Sequence, residues 1–272
     1  MNAQVSTTAD PFFQFKEGQK QGWAHFGPLE ALTIPQAAQL VRHAKVKRGD
    51  GVLDVACGTG VVSVTAARIG AKVTALDLTP ELLQRARENA RISQVQVDFH
   101  EGDAESLPFG DSSFDVVLSQ FGHIFAPRPE VVTAEMLRVL KPGGTIAFAT
   151  WPPEFYVGRS SVLAAKYLPL PPSVPSPILW GDPNVVRERL GNRVKDVLFD
   201  SARMNVPVLS PQLHRTNLER TVGPMIKLVE ALSASDPAKL EELRREAEAL
   251  AAEYIEDNVL RQHYLLTRAT KI

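Results

Sequence analysis

The 272-residue sequence contains a single cysteine, Cys57, so no disulfide can close within the chain and no cysteine-based metal cluster can form. It has no excess of charge of either sign. Lys and Arg number 30 against 31 Asp and Glu, a formal net charge of −1. That balance offers neither the counterion release that drives binding to nucleic acid nor a polybasic patch for an anionic membrane. No apolar run approaches the length of a bilayer span, so membrane insertion is not expected. The opening MNAQVSTTAD has neither the basic nor the apolar region of a secretory signal. The six histidines are scattered without paired ligand spacing, so no metal is expected. These absences point to a cytoplasmic protein in a reducing compartment, acting on a small molecule rather than a polymer. The oligomeric state is left open. Hydrophobic residues at 44% and charged residues at 22% are ordinary values for a folded globular chain.

Short apolar runs alternate with helical patterns through the first half. Ile34 to Ala44 repeats apolar residues at helical spacing, with Pro35 read as lying near the start. Gly51–Val55 is a buried-strand run, followed by the turn Gly58-Thr59-Gly60 and a helix from Val61 to Ile69 that Gly70 ends. Lys72 to Leu78 is a second strand, and Thr79-Pro80-Glu81 offers a hydroxyl N-cap, proline at the first helical position and an acid at the positive dipole end. Val95 to His100 and Phe114 to Gln120 read as strands three and four, Glu130 to Leu140 as a helix, and Thr145 to Trp151 as a fifth strand. Such alternation predicts a parallel sheet with helices on both faces.

Beyond Trp151 the texture changes. The proline-rich 152–181 is read as unable to form a strand or a long helix. Asp182-Pro183 restarts a helix through Leu190; Val194 to Val206 and Val259 to Thr270 read as strands, with helices over 212–257 between them. The alanine-, leucine- and glutamate-rich 237–254 has the pattern of a charged surface helix.

The segment Val52 to Gly60 is the most informative. Gly58 and Gly60 permit a tight strand-to-helix turn that lets a ligand approach bare backbone at the carboxyl ends of the strands. Asp77 ends the next strand, about 20 residues on, where a carboxylate can accept from both hydroxyls of a ribose. Its other reading is an acid at a helix N-terminus, a task Thr79 is better placed to perform. A dinucleotide site prefers a third glycine where this chain has Ser63.

The pattern Asp54-x-x-x-Gly58-x-Gly60 resembles motif I of class I S-adenosylmethionine-dependent methyltransferases. Asp77, then Gly102 to Phe109 (GDAESLPF), Phe114 to Val117 (FDVV) and Glu135 to Gly144 (EMLRVLKPGG) follow in the family's order. Together they resemble the branch containing the ubiquinone/menaquinone biosynthesis methyltransferases, over about residues 45–151. The resemblance implies S-adenosyl-L-methionine as cofactor and S-adenosyl-L-homocysteine as product. It assigns the methionine moiety to Asp54 and the backbone of Ala56, Cys57, Gly58, Thr59 and Gly60. It assigns the ribose to Asp77, the adenine face to Leu78, and the adenine amino group to Asp103 with backbone contact from Ala104. Ala56 departs from the glycine that many members carry there, and Cys57 is expected to pack or line the loop.

Methyl transfer from a sulfonium is an in-line displacement, so the protein mainly aligns the nucleophile and excludes water. Just beyond the fourth strand, Ser119 and Gln120 are expected to meet the cofactor's amino acid end, and His123 is the candidate general base. His25 ranks second as a base. Phe13, Phe15 and Trp23 are candidates for a lid over the cofactor, with ordinary helix packing as the alternative. Trp151, Tyr156 and Trp180 are candidates for the acceptor's enclosure, though single tryptophans are as readily core residues.

The expected architecture is a Rossmann-like, doubly wound, seven-stranded mixed α/β sheet with the last strand inserted antiparallel. Residues 1–44 form an N-terminal lid segment, 45–151 the cofactor-binding core, 152–181 and 209–258 a helical and loop cap, and 182–208 with 259–272 the rest of the sheet. The expected function is methyl transfer to O, N or C of a small, partly apolar metabolite. An NAD(P)-dependent oxidoreductase, weakened by Ser63 and Asp103, and a non-catalytic S-adenosylmethionine-binding interaction protein are the alternatives.

Overall fold

A computed structural model describes residues 10–272. The stretch 1–9, most of the segment read above as lacking a secretory signal, lies outside the described residues. Five strands form the parallel part of the sheet: β1 (Gly51–Val55), β2 (Lys72–Asp77), β3 (Val97–Glu101), β4 (Phe114–Gln120) and β5 (Leu140–Thr150). Three more follow: β6 (Val194–Pro207), the two-residue β7 (Ile255–Glu256) and β8 (Val259–Lys271). The order across the sheet is β3-β2-β1-β4-β5-β8-β6, with β7 paired to β8. The pairs from β3 through β5 are parallel, and β8 runs antiparallel to both β5 and β6. This is the expected doubly wound mixed sheet, with one addition. Asp257 and Asn258 both take positive φ, 51° and 60°, which makes the tight two-residue turn that folds β7 back on β8.

The alternating faces of the strands divide the core in two. Val52, Val73, Val116, Leu118 and Ala147 point to one cluster, while Leu53, Val55, Leu76, Val117 and Phe148 point to the other. On the first side lie α2 (Glu30–His43) and α3 (Val61–Arg68); on the second lie α5 (Pro129–Val139) and α7 (Pro183–Leu190). The helix α4 (Pro80–Ile92) packs beside β3. Pro35 falls inside α2 rather than near its start, because the helix begins at Glu30. Thr79 makes no side-chain cap to α4; its backbone N–H instead donates to Asp77 Oδ1 at 2.8 Å.

The cap corrects the reading of 152–181. Tyr156–Tyr167 is a 12-residue helix, α6, because the prolines bracket it and leave 154–168 free of them. The helices α8 (Pro211–Thr221), α9 (Gly223–Ser235) and α10 (Pro237–Ala252) complete the cap. Two of them start alike: Ser210 accepts from the Leu213 N–H and Asp236 from the Lys239 N–H, each with proline next. The charged helix α10 buries Leu240, Leu243 and Leu250, while Glu246, beside that stripe, meets Lys166 and Tyr167 of α6 at 2.7 and 2.8 Å.

The loop before β4 is fixed by one side chain. Arg138 donates to the carbonyls of Leu107 and Phe109 at 3.0 and 2.7 Å and pairs with Asp111 and Glu135. Glu135 in turn accepts from the Leu107 N–H at 2.8 Å. Arg138→Ala leaves two carbonyls and a carboxylate without their donors and is expected to cost on the order of 1–3 kcal/mol. Urea unfolding measures this; a loss within 0.5 kcal/mol (roughly the range of an ordinary surface change) would show that the clamp is idle.

Candidate active site

The carboxyl ends of β1, β2 and β4 open into one cavity of about 930 Å³ that continues beneath the cap. It stands near the top of the range for small-molecule sites, roughly 300–1,000 Å³. Its floor is the turn after β1. Ala56, Gly58 and Gly60 all take left-handed φ values of 55°, 55° and 77°, a conformation that costs Ala56 strain that glycine would not incur. The departure from glycine at Ala56 thus falls where the backbone most favours glycine. Gly60 is held to that identity by space as well, since a Cβ there would lie 2.9 Å from the Ala86 Cβ. Nothing lies within 4 Å of a Cβ placed on Gly58, which faces open space.

Three acidic residues line this half of the cavity, and each is engaged differently. Asp77 is buried, and its two oxygens accept from the Gly58 N–H at 2.7 Å and the Thr79 N–H at 2.8 Å. Burial raises its pKa while those bonds oppose the rise. Asp77 thus tethers the glycine turn and the start of α4, and it also borders the cavity. Asp54 accepts from the Ser63 hydroxyl at 2.5 Å, leaving Oδ1 without a partner among the described residues. Burial pushes its pKa up to about 7. Ser63, noted in the sequence only as a missing glycine, is the residue that orients this carboxyl. Asp103 accepts from Lys16 of α1 (Phe13–Trp23) at 2.6 Å and from the Glu105 N–H at 2.8 Å.

Leu78, Ala104, Cys57 and Thr59 line the same half. Burial holds the Cys57 thiol well above its ordinary pKa, so it is a protonated wall residue. Gln120 also lines the cavity, and its amide donates to the Thr33 carbonyl at 2.9 Å, anchoring α2. Ser119 is a correction. It is fully buried, donates to the Val55 carbonyl at 2.7 Å and accepts from the His123 N–H at 3.2 Å. It ties β4 to β1 and is absent from the cavity wall.

His123, the candidate base, is packed rather than solvated. The ring borders the cavity but is 1% exposed, packed on Phe148 and Trp180 at centroid distances of 4.8 and 4.6 Å. Neither nitrogen has a partner among the described residues. Burial, with Arg189 adding repulsion, pushes its pKa down to about 3. Trp180 belongs to the same packing unit: it is buried under the Arg189 guanidinium, 4.4 Å away, and is core rather than enclosure.

Phe13 is 56% exposed and turns from the site, whereas Phe15 and Trp23 on the same helix line it. Trp23 packs on Phe125 at 4.7 Å. The exposed His25 lies off the cavity. In the cap half, Trp151 stacks on Phe121 at 4.0 Å and 12°, and Tyr156 is buried with its hydroxyl 2.8 Å from His214 Nε2. Burial lowers the His214 pKa to about 4 and raises that of Tyr156. The sequence reading missed His214, and also Lys16, whose ammonium draws Asp10, Asp103 and Glu105 together at 2.6 Å each. Neither stands in a motif; each pairs across more than 50 residues of chain.

The packing of His123 has a pH signature. Its folded pKa lies below the unfolded value of about 6.5, so below that pH the unfolded chain binds a proton the native ring refuses. Stability from this site is complete above pH 6.5 and is lost as pH falls towards 3, by up to about 1.4 kcal/mol per unit. Asp54 acts in the opposite sense, since its raised pKa makes the native state take the proton between pH 4 and 7 (roughly, with an unfolded value near 3.9). The difference between wild type and His123→Leu isolates the ring. The variant is expected to melt with a shallower loss on acidification from pH 6.5 to 4.5 and to retain turnover. An unchanged acid slope would place His123 in a solvated setting, and lost turnover with cofactor binding intact would restore it to the chemistry.

The sequence and fold were compared with known proteins. The family profile described as "Methyltransferase domain" matches residues 53–148. The chain is 36% identical over 257 residues to an uncharacterized protein of Mycobacterium tuberculosis (strain ATCC 25618 / H37Rv), covering 93% of each. It is 34% identical over 178 residues to the ubiquinone biosynthesis O-methyltransferase of Xanthomonas campestris pv. campestris (strain B100), covering 62% of this chain and 74% of that one. Among solved structures, phosphoethanolamine N-methyltransferase 2 of Haemonchus contortus, in complex with phosphomonomethylethanolamine and S-adenosylhomocysteine, shares the fold. Its TM-score is 0.55 at 17% identity, over 87% of this chain and 52% of that one. These matches set aside the oxidoreductase alternative, and the chain belongs to the S-adenosylmethionine-dependent methyltransferases.

Proposed function

We propose that the protein transfers the methyl group of S-adenosylmethionine to O, N or C of a small, partly apolar metabolite enclosed beneath the cap. The observation that carries this reading is the continuity of the cavity, which runs from the glycine turn and Asp77 to the apolar underside of α6, α8 and α9. Donor and acceptor then share one compartment, as an in-line displacement requires. An enclosed apolar acceptor also fits a small molecule better than a polymer.

In this reading residues 45–151 hold the cofactor, the described part of the N-terminal segment (10–44) closes over it, and 152–181 with 209–258 surround the acceptor. Residues 182–208 and 259–272 complete the sheet. The donor set fits the cofactor: Asp54 has an unpartnered carboxyl oxygen for an ammonium group, and Gly58 faces open space. The backbone from Ala56 to Gly60 receives the methionine portion, and Asp77, whose carboxylate has lone pairs beyond the two bonds it accepts, receives the ribose. Leu78 and Ala104 flank the adenine, and Asp103 accepts from its amino group. Gln120 borders the methionine end, while Phe15 and Trp23 form the apolar wall. When bound, the cofactor supplies an electrophilic methyl on sulfur and leaves as S-adenosylhomocysteine. Trp151 and Phe121 make a flat wall for the acceptor, and the Tyr156–His214 pair offers it hydrogen bonding.

Incubation with radiolabelled S-adenosylmethionine and a fractionated metabolite extract tests the activity; transfer to no fraction by a protein that binds S-adenosylhomocysteine would leave it a non-catalytic binder. Asp77→Asn is expected to weaken S-adenosylhomocysteine binding by about 1–3 kcal/mol, the range for a charged hydrogen bond; an unchanged calorimetric affinity removes Asp77 from the site. Asp54 gives a second test. Its carboxyl is largely protonated below about pH 7, and an ammonium ligand favours the ionised form. Binding is therefore expected to tighten as pH rises from 6 to 8 and to release protons, seen as a dependence of calorimetric enthalpy on buffer ionisation. Proton uptake or a flat affinity would contradict this role.

A further inference from the structure

The charged side chains that line the cavity have partners, with one exception among the described residues. Lys16 meets three carboxylates, and Lys20 meets Glu101 at 2.7 Å. Asp54, Asp77 and Asp103 are engaged as described above. Lys227 of α9, also in the cavity wall, makes no hydrogen bond or ion pair with any described residue. Glu230, one turn on, is exposed and lies beyond ion-pair distance.

The helix packing puts that ammonium where it is. A Cβ on Gly18 of α1 would stand 2.0 Å from Lys227 Nζ, so the lysine lies across bare glycine backbone. One turn along, Gly22 and Gly223 bring the same two helices together, with a Cβ on Gly22 reaching 2.9 Å from the Gly223 Cα. The close crossing leaves the Lys227 side chain half-buried at the cavity edge. Burial disfavours its charged form and the charge of Glu230 only partly offsets this; a half-buried cation without a direct ion pair is costly to keep. The surrounding cap wall is apolar, with Val157, Ala164, Leu168 and Met225 relieved by uncharged Ser161 and Asn217. No acidic side chain lines the cap half among the described residues; all three in the wall belong to the glycine-turn half.

We infer that the acceptor is an amphiphilic anion, with its apolar body beneath the cap and its anionic group paired with Lys227. This rests on the methyltransferase reading above and adds the charge class of the substrate. A cationic acceptor would find no counter-charge in the cap half of the cavity wall among the described residues, and a neutral one would leave the ammonium without an ion pair. A lysine is a point charge that takes a carboxylate or a phosphate ester alike.

The test is isothermal titration of the full chain, saturated with S-adenosylhomocysteine at pH 7, with decanoate, decyl phosphate, decanamide and decyltrimethylammonium. Decanoate or decyl phosphate is expected to bind at least tenfold more tightly than decanamide, and the ammonium not at all; which anion is preferred identifies the head group. Lys227→Arg keeps the preference, while Lys227→Met and Lys227→Gln abolish it with S-adenosylhomocysteine affinity unchanged within twofold. Equal or undetectable binding of the anions overturns the inference, as does a preference that survives in both neutral variants. A tenfold loss of S-adenosylhomocysteine affinity in those variants overturns it as well, by assigning the ammonium to the cofactor. Failure of the wild type to bind S-adenosylhomocysteine at the outset would instead defeat the methyltransferase reading of this cavity.

Discussion

The site hangs on the carboxylate of Asp77. By accepting from the Gly58 and Thr79 N–H groups, it joins the turn after β1 to the turn after β2. The glycine turn is also held by the Cys57 N–H on the Leu76 carbonyl and the Asn89 amide on the Thr59 carbonyl, each at 3.0 Å, but Asp77 is the side chain that binds it to the turn after β2. Residues 56, 58 and 60 are all left-handed, and a chain segment in that conformation has few side chains with which to pack. A buried acid with two backbone donors supplies a further restraint, and its charge is tolerable there because both bonds favour the ionised form. The constraint spreads outward. With Ala56 fixed, Gly122 must be bare, since a Cβ there would lie 2.6 Å from both the Ala56 Cβ and its carbonyl oxygen. Gly122 lies between Phe121, itself at φ 60°, and the turn that carries His123. One acid thus sets the path of three loops around the cavity.

The sheet was legible because its strands carry their burial in their own sequence. Runs such as Gly51–Val55 and Phe114–Gln120 are apolar on both faces, as parallel strands covered on both sides must be, and the structure places them at those bounds. Helix α6 was hidden because the density of prolines around it outweighed a clean interval of 15 residues. The site residues divide along the same physical line. Those whose role depends on local backbone, Gly58 and Gly60, could be read from spacing. Those whose role depends on what folds against them could not: Ser119 faces β1, Trp180 faces His123, and Ser63 faces Asp54. Several motif residues also turn out to be scaffold. Asp115 accepts from the Gly51 N–H and pairs with Lys141, and Glu135 and Arg138 hold the 107–111 loop. A motif records what must stay constant, and a loop that positions a ligand is as constrained as the side chain that touches it.

Helix α1 was legible as an aromatic segment and illegible as a bridge. Phe15 and Trp23 face inward as a lid would, but the helix is held by charge at one side and by close packing at the other. Lys16 brings three carboxylates together, one of them Glu105, whose Oε2 also accepts from Nε and Nη2 of Arg128 at 2.9 and 2.7 Å. Lys20 adds Glu101. On the opposite side, the Gly22–Gly223 approach allows backbone contact with α9. A buried ionic cluster contributes little net stability once desolvation is counted, though breaking it by removing one member is costly. Its use is in geometry: α1 sits in one register over the cavity, with Asp103 oriented from above by Lys16 and from within its own turn by the Glu105 N–H.

The distribution of charge in the cavity bears on the chemistry proposed for it. Among the described residues, acids line only the half around the glycine turn, and the cap half is largely apolar with a single lysine at its edge. A sulfonium donor is positive and becomes neutral as the methyl leaves, so an acid-lined half stabilises the ground state of the donor at its polar ends. Aromatic residues such as Trp23 and Trp151 line the cavity and would form the wall beside a methyl group presented between the two halves. There the local dielectric is low, and a transition state in which the positive charge is dispersing loses less solvation than it would in water. If the carboxylates reached further into the cap they would favour the charged donor over that transition state and raise the barrier. The segregation of acids to one half is therefore a condition for the transfer as well as for recognition, and it follows from where β1, β2 and the loop after β3 end.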